Sequence, residues 1–235
     1  MLLNCSCCYF AAVSLLLHID TAVVGASLCL SDGDTILATA ENGEQKQSAS
    51  WLQPAIRQLC AEQAISLLQL KAISVSAGPG SYTGLRVGMA TAKGLCYALN
   101  IPMITISTLQ MMAAAAQPAE MLLCPMIDAR RMEVFTAVYA LDLQEILPSR
   151  AVVLNENSFA DLLNEQPVLF FGNGSEKFNS LAKSPNAHFK NITATAKNLV
   201  PLALTAFQKG GFADLAYSEP IYGKAFFSPP SKPLI

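Results

Sequence analysis

Lys71-Ala72-Ile73-Ser74-Val75-Ser76, then Ala77-Gly78-Pro79-Gly80, then Ser81-Tyr82-Thr83-Gly84-Leu85-Arg86-Val87-Gly88 is the stretch on which the fold turns. The run through Ile73 and Val75 reads as a strand, and Gly-Pro-Gly ends it in a turn. Ser81 and Thr83 are natural helix N-caps, and Leu85, Met89, Leu95 and Leu99 carry apolar bulk along a long helix over 81–99. Strand, glycine turn and helix in succession require a parallel crossover, because a tight turn cannot return the chain parallel to itself.

Upstream, Leu15–Asp20, Gly25–Leu30 and Thr35–Glu41 read as three strands. Ser31-Asp32-Gly33-Asp34 between the last two is hairpin chemistry, since Asp-Gly tolerates the positive φ of a tight turn. A helix over 48–64 follows, with Leu52, Ile56, Leu59 and Cys60 on one face and Pro54 in its opening turns. Downstream come a strand over 102–107 and a helix over 109–117. Three turn-linked strands followed by alternating helices and strands describe a mixed sheet in an α/β protein. The order is that of an RNase H-like or actin-like half domain.

The second half repeats this order in part. Leu122–Asp128 and Met132–Ala140 read as strands around Ala129-Arg130, Val168–Phe171 as another, with helices over 158–164 and 199–208. The expectation is a two-lobed actin-like (ASKHA) fold with mixed sheets and a reduced second lobe. Its bounds are an extension over 1–13, a first lobe over 14–117 and a second lobe with tail over 118–235.

At 235 residues the chain has room for one large domain or two small ones. Lys and Arg total 15 against 17 Asp and Glu, a net charge of -2, so no basic excess draws nucleic acid or anionic membrane. Hydrophobic residues are 52% and charged ones 14%, which excludes disorder and leaves apolar surface for a partner. The seven cysteines are odd in number and form no CxxC pair, so reduced, buried thiols are expected. Met1–Leu17 lacks the basic start and small-residue cleavage site of a signal peptide, and its polar residues make a poor membrane span. A cytoplasmic protein with no membrane contact is expected.

From Ala72 to Ala119 only Arg86 and Lys93 are charged. On the long helix, Gly84, Gly88, Ala92 and Cys96 recur every fourth residue beside Leu85 and Met89. A helix apolar nearly all round is covered nearly all round. Two readings stand: a central helix sandwiched inside the monomer, or a face that meets another protein.

Chemistry is sparse. The glycine turn at 78–84 sits where helix N–H groups favour an anion, and Gly172-Asn173-Gly174-Ser175 offers a second such turn. Asp20 and Thr21 end the first strand, where actin-like kinases place an acid near nucleotide phosphates. The residual nucleotide set is therefore Asp20, Thr21, Gly78, Gly80, Ser81, Thr83, Gly84, Gly172 and Gly174. Only His18 and His188 are histidines, and neither HxxxH nor a G-x-S-x-G elbow occurs, so no catalytic or metal residue is assigned.

Leu17-His18-Ile19-Asp20-Thr21, the GPGSYTGLRVG segment at 78–88, Ile106-Ser107-Thr108-Leu109, Ile127-Asp128-Ala129-Arg130 and Glu219-Pro220-Ile221-Tyr222 together resemble the TsaB (YeaZ) family. The likeness runs over about residues 15–223. It implies a non-catalytic subunit that pairs with the catalytic paralogue TsaD and is joined by the ATPase TsaE. That complex places threonylcarbamoyl on the tRNA adenosine 3′ of the anticodon. The resemblance further implies a homodimer when alone, tRNA met only through the complex, and ATP or ADP with magnesium at the complex interface. The family pairs through its first-lobe helices, which places the interface at Leu52, Ile56, Leu85, Arg86, Met89, Ala92, Lys93 and Cys96. Three departures stand out. Gln47-Ser48-Ala49-Ser50 lacks the paralogue's histidines, Tyr222-Gly223-Lys224 replaces a tyrosine–aliphatic–arginine ending, and the first dozen residues have no counterpart. An ATP-dependent phosphotransferase using Asp20 and the two glycine turns is the competing reading, and a metallopeptidase a third.

Overall fold

A computed structural model describes residues 14–23, 25–43, 48–117 and 120–223. The expected extension, with Cys5, Cys7 and Cys8, lies outside them, as do Gln47 and Lys224.

β1 (Leu15–Asp20), β2 (Ala26–Asp32) and β3 (Thr35–Asn42) form an antiparallel meander, and Gly33 sits at φ +59° in the tight turn that Asp-Gly signals. α1 (Ser48–Glu62) leads to β4 (Ala72–Gly78), α2 (Tyr82–Leu99), β5 (Met103–Ser107) and α3 (Thr108–Ala115). The Ser81 hydroxyl caps α2 by accepting from the Gly84 N–H, and Asn100 closes it at φ +53°. The resulting sheet runs β3-β2-β1-β4-β5, with β1, β4 and β5 parallel.

β6 (Leu122–Asp128), β7 (Glu133–Tyr139) and β8 (Glu145–Val153) repeat the meander, followed by α4 (Ala160–Glu165), β9 (Val168–Phe171), α5 (Ser175–Asn179), β10 (Ala187–Lys190) and α6 (Val200–Gln208). The second sheet runs β10-β9-β6-β7-β8, the first sheet's order with the same parallel and antiparallel pairings. β8 and β10 are additions to the sequence reading. Both are edge strands; β8 lacks a clean apolar alternation, and β10 alternates over only four residues, too few to mark a strand. The reduction of the second half lies in its helices: α4 and α5 have 6 and 5 residues, where α1 and α2 have 15 and 18.

β1 divides the first half's core. Leu15, Leu17 and Ile19 face the α1–α2 side with Leu52, Ile56 and Val75, while Leu16 packs on the other face with Ile104 and Met111. That other face is closed by chain from the second half. Ala196, Leu199, Val200 and Ala203 complete its core, and the Ala196 N–H donates to the Ser27 hydroxyl at 2.8 Å. The chain then bridges Met103 through Ala213 and reaches Ala77, whose carbonyl accepts from the Ile221 N–H at 2.7 Å. Residues 194–221 thus belong by sequence order to the second half and by packing to the first sheet.

Candidate functional site

The C-terminal ends of β1 and β4 bring together Asp20, Thr21 and the glycine turn. Asp20 is buried, and its Oδ1 accepts from the Ser76 hydroxyl at 2.6 Å and the Ala22 N–H at 3.0 Å. Burial pushes its carboxyl above the usual range. The Thr21 hydroxyl donates to the Gly84 carbonyl at 2.7 Å, and the Ala22 carbonyl accepts from the Ser81 N–H at 2.7 Å. The Gly78 N–H donates to the Thr108 hydroxyl at 3.1 Å.

These contacts explain the glycines. A Cβ on Gly78 would collide with the Ile221 carbonyl oxygen, one on Gly80 with that of Ala22, and one on Gly84 with that of Thr21. The chain's own backbone fills the hollow that glycines would leave for a phosphate. Gly172 lies against Met112 and the Met126 carbonyl, and Gly174 against Val134 and the Asp128 N–H, so the second turn is packed in the same way. The Ser81 hydroxyl is spent on capping α2, while Thr83 is exposed on its first turn. A magnesium nucleotide therefore does not fit at this set. Its acid is enclosed, and its glycines accommodate Thr21, Ala22 and Ile221.

The helix belt is corrected likewise. Leu52, Ile56, Leu85, Met89, Ala92 and Cys96 are buried within the monomer, most of them in one cluster with Leu17, Ile19 and Val75. They are not an open face, because the first sheet and the packing of α1 on α2 already cover them. Arg86, exposed, and Lys93, half-buried, clamp the chain to itself. The Lys93 ammonium donates to the carbonyls of Ser218 at 2.9 Å and Ala216 at 3.2 Å. Arg86 Nε donates to the Tyr222 hydroxyl at 3.1 Å, and its guanidinium lies over the Tyr82 ring at 4.2 Å. Tyr82 and Tyr222 sit 4.9 Å apart between ring centres. Both cations of α2 thereby tie the 213–223 strap alongside the helix.

The outward face of α2 carries Ala90, Gly94, Tyr97 and Ala98, all exposed, with Tyr97 at 83%. Sequence reasoning missed it. Ala90, Gly94 and Ala98 share the fourfold spacing of the inner stripe and differ from it little in hydropathy, so only Tyr97 marks the outer side.

His18 stands in the middle of β1, with Nδ1 at 2.7 Å from the Ser74 hydroxyl and Nε2 at 2.9 Å from that of Ser31. Burial lowers its pKa to about 3, so the ring is neutral and structural. Cys29, Cys60, Cys96 and Cys124 are free and buried, and burial pushes Cys29 and Cys124 up to about 12. Among the described residues no three His, Cys, Asp or Glu side chains cluster to hold a metal ion, and no helix is long and apolar enough to cross a membrane.

Residues 36–220 match the family model described as TsaD, tRNA N6-adenosine threonylcarbamoyltransferase. The tRNA threonylcarbamoyladenosine biosynthesis protein TsaB of Bacillus subtilis (strain 168) is 33% identical over 162 residues, covering 67% of this chain and 70% of that protein. The chain belongs to the TsaB family. TsaB of Escherichia coli (strain K12) is 28% identical over 218 residues, 88% of this chain and 93% of its own. The YeaZ structure from Pseudomonas aeruginosa, 27% identical, superimposes with a TM-score of 0.77 over 89% of this chain and 99% of that one. The YeaZ superposition spans both mixed sheets of this TsaB family member.

Proposed function

We propose that the chain is a non-catalytic subunit in tRNA threonylcarbamoyladenosine biosynthesis. It pairs with a TsaD-like paralogue through the outward face of α2, recruits the ATPase TsaE, and pairs with itself when alone. Its work is cytoplasmic, and it meets tRNA within the complex. The names of its relatives in B. subtilis and E. coli support the pathway. The single observation that carries the subunit role is the contrast along α2: an inner face filled by the monomer, and an outer face where Ala90, Gly94, Tyr97 and Ala98 lie exposed next to Arg86, whose guanidinium is engaged by Tyr82 and Tyr222. Small residues permit close helix approach, and an exposed tyrosine supplies an interface anchor. Asp20, enclosed by Ser76 and Ala22, supports assigning the nucleotide and magnesium chemistry to the partners.

The test is co-purification of the chain with its TsaD-like paralogue, together with the modified adenosine content of tRNA after deletion. A stable complex and loss of the modification are expected. Failure to associate, with modification intact, overturns the reading.

A further inference from the structure

The tip of the β6–β7 hairpin holds Arg130 at φ +69° and Arg131 at φ +48°. Two consecutive non-glycine residues in the left-handed region are costly, and tight hairpins ordinarily place Asn-Gly there. Nothing among the described residues offsets that cost through the side chains. Both arginines are exposed, and among the described residues neither guanidinium has a hydrogen-bond or ion-pair partner.

The surrounding contacts hold the tip in place and keep those guanidiniums unengaged. Asp128 Oδ1 accepts from the Arg130 N–H at 2.6 Å, and the same carboxylate is paired with Lys177 at 2.6 Å. The acid at the root of the tip is therefore matched by lysine instead of by either arginine. The Asn173 side-chain oxygen accepts from the Asp128 N–H at 3.0 Å, which joins the tip to the loop after β9.

That loop borders a surface depression of about 380 Å³, lined among others by Asn173, Asn179, Asn191, Glu176, Lys190 and Phe189. Its volume is in the range of small-ligand sites. The three carboxamides each donate and accept, as base edges and ribose hydroxyls require. Phe189 is stacked on Phe170 at 5.4 Å, so its ring is a braced platform. We propose that the Arg130–Arg131 tip and this depression form a contact site for an RNA strand, the two guanidiniums on backbone phosphates and the depression receiving one nucleoside. The inference rests on the proposed role in tRNA modification, and adds that this chain supplies its own RNA contact within the complex. An acidic protein segment fits less well, because it would use the cations and leave the carboxamides and aromatic platform unmatched. RNA recognition favours unstacked bases on aromatic rings beside phosphate-binding arginines.

The test is fluorescence anisotropy of a labelled tRNA transcript with the full-length chain in complex with its TsaD-like paralogue, between 50 and 200 mM salt. Arg130→Gln with Arg131→Gln is expected to weaken binding at least tenfold at the low-salt end. It should also flatten the logarithmic salt slope by about 1.4–1.8, two phosphate contacts' worth. Arg57→Gln on α1 should change neither. Arg131→Gly should raise the melting temperature by roughly 2–4 °C while lowering affinity, the reverse of what a purely structural arginine would do. Equal affinity and slope for wild type and double variant overturn the inference, as does absence of tRNA binding by wild type, or competition by polyglutamate equal to that by poly(U). If the double variant still co-purifies with the TsaD-like paralogue but binds tRNA like wild type, the RNA site falls and the subunit role stands. If wild type does not pair, the subunit role falls whatever the tRNA result.

Discussion

The Lys93 ammonium donates to the Ser218 carbonyl at 2.9 Å across 125 positions of sequence. A charge that sequence reading places at the rim of a partner surface is spent inside the molecule, holding the last described segment along α2. Arg86 does the same with Tyr222 two turns nearer the helix start. The surface left for a partner is accordingly the exposed stretch of α2 beside these two cations, from Ala90 through Gly94 and Tyr97 to Ala98.

Removing the clamp should loosen the strap. Lys93→Met is expected to cost about 1–2 kcal/mol, the range for a charge-assisted hydrogen bond that is partly solvated. Thermal denaturation reads the loss, and faster hydrogen exchange at the Ile221 amide should accompany it, since that N–H pins the strap to Ala77. Unchanged exchange would show that the strap is held without Lys93.

A pair of charge substitutions two residues apart separates the faces of α2. Ala92→Glu buries an unpaired carboxylate in the core and should cost roughly 3–5 kcal/mol, enough to unfold a marginal domain. Ala90→Glu should leave circular dichroism and melting unchanged but abolish association with the paralogue and with a second copy in size-exclusion chromatography. A folded Ala92→Glu, or a freely pairing Ala90→Glu, would reverse the assignment.

Glycines of the same helix should respond in opposite directions. Gly84→Ala pushes a methyl group into the Thr21 carbonyl and is expected to destabilise by about 1–3 kcal/mol. Gly94, with nothing near an added Cβ, should gain about 0.5–1 kcal/mol on substitution by alanine, from the lower backbone entropy of the unfolded chain. Chemical denaturation of the two variants measures both signs.

His18 makes stability depend on acidity. Its pKa is about 3 folded against an ordinary 6.5, so between these values the unfolded chain binds the additional proton. Stability from this group is complete above pH 6.5 and is lost as pH falls towards 3, at up to roughly 1.4 kcal/mol per pH unit. Asp20, raised by burial, works in the opposite sense, favouring the fold as it protonates. The His18 contribution is therefore read as the difference between wild type and His18→Asn. The slope should be shallower in the variant, and equal slopes would assign the acid lability elsewhere.

Much of this protein was legible from local chemistry. Asp32-Gly33 dictates the hairpin, Ser81 the start of α2, and the glycine turn after Val75 the crossover, because each depends on neighbours within a few residues. The apolar run Leu15–Ile19 likewise placed His18 in a strand. The burial of Leu52, Ile56, Leu85 and Ala92 against the monomer's own sheet was beyond sequence reading, since small uncharged residues occupy both sides of α2 and hydropathy cannot distinguish them. The filling of the glycine hollow by Thr21, Ala22 and Ile221, and the capture of Lys93 by Ser218, involve backbone carbonyls, which every residue possesses and no side chain announces. Such contacts exist only once distant segments have packed together.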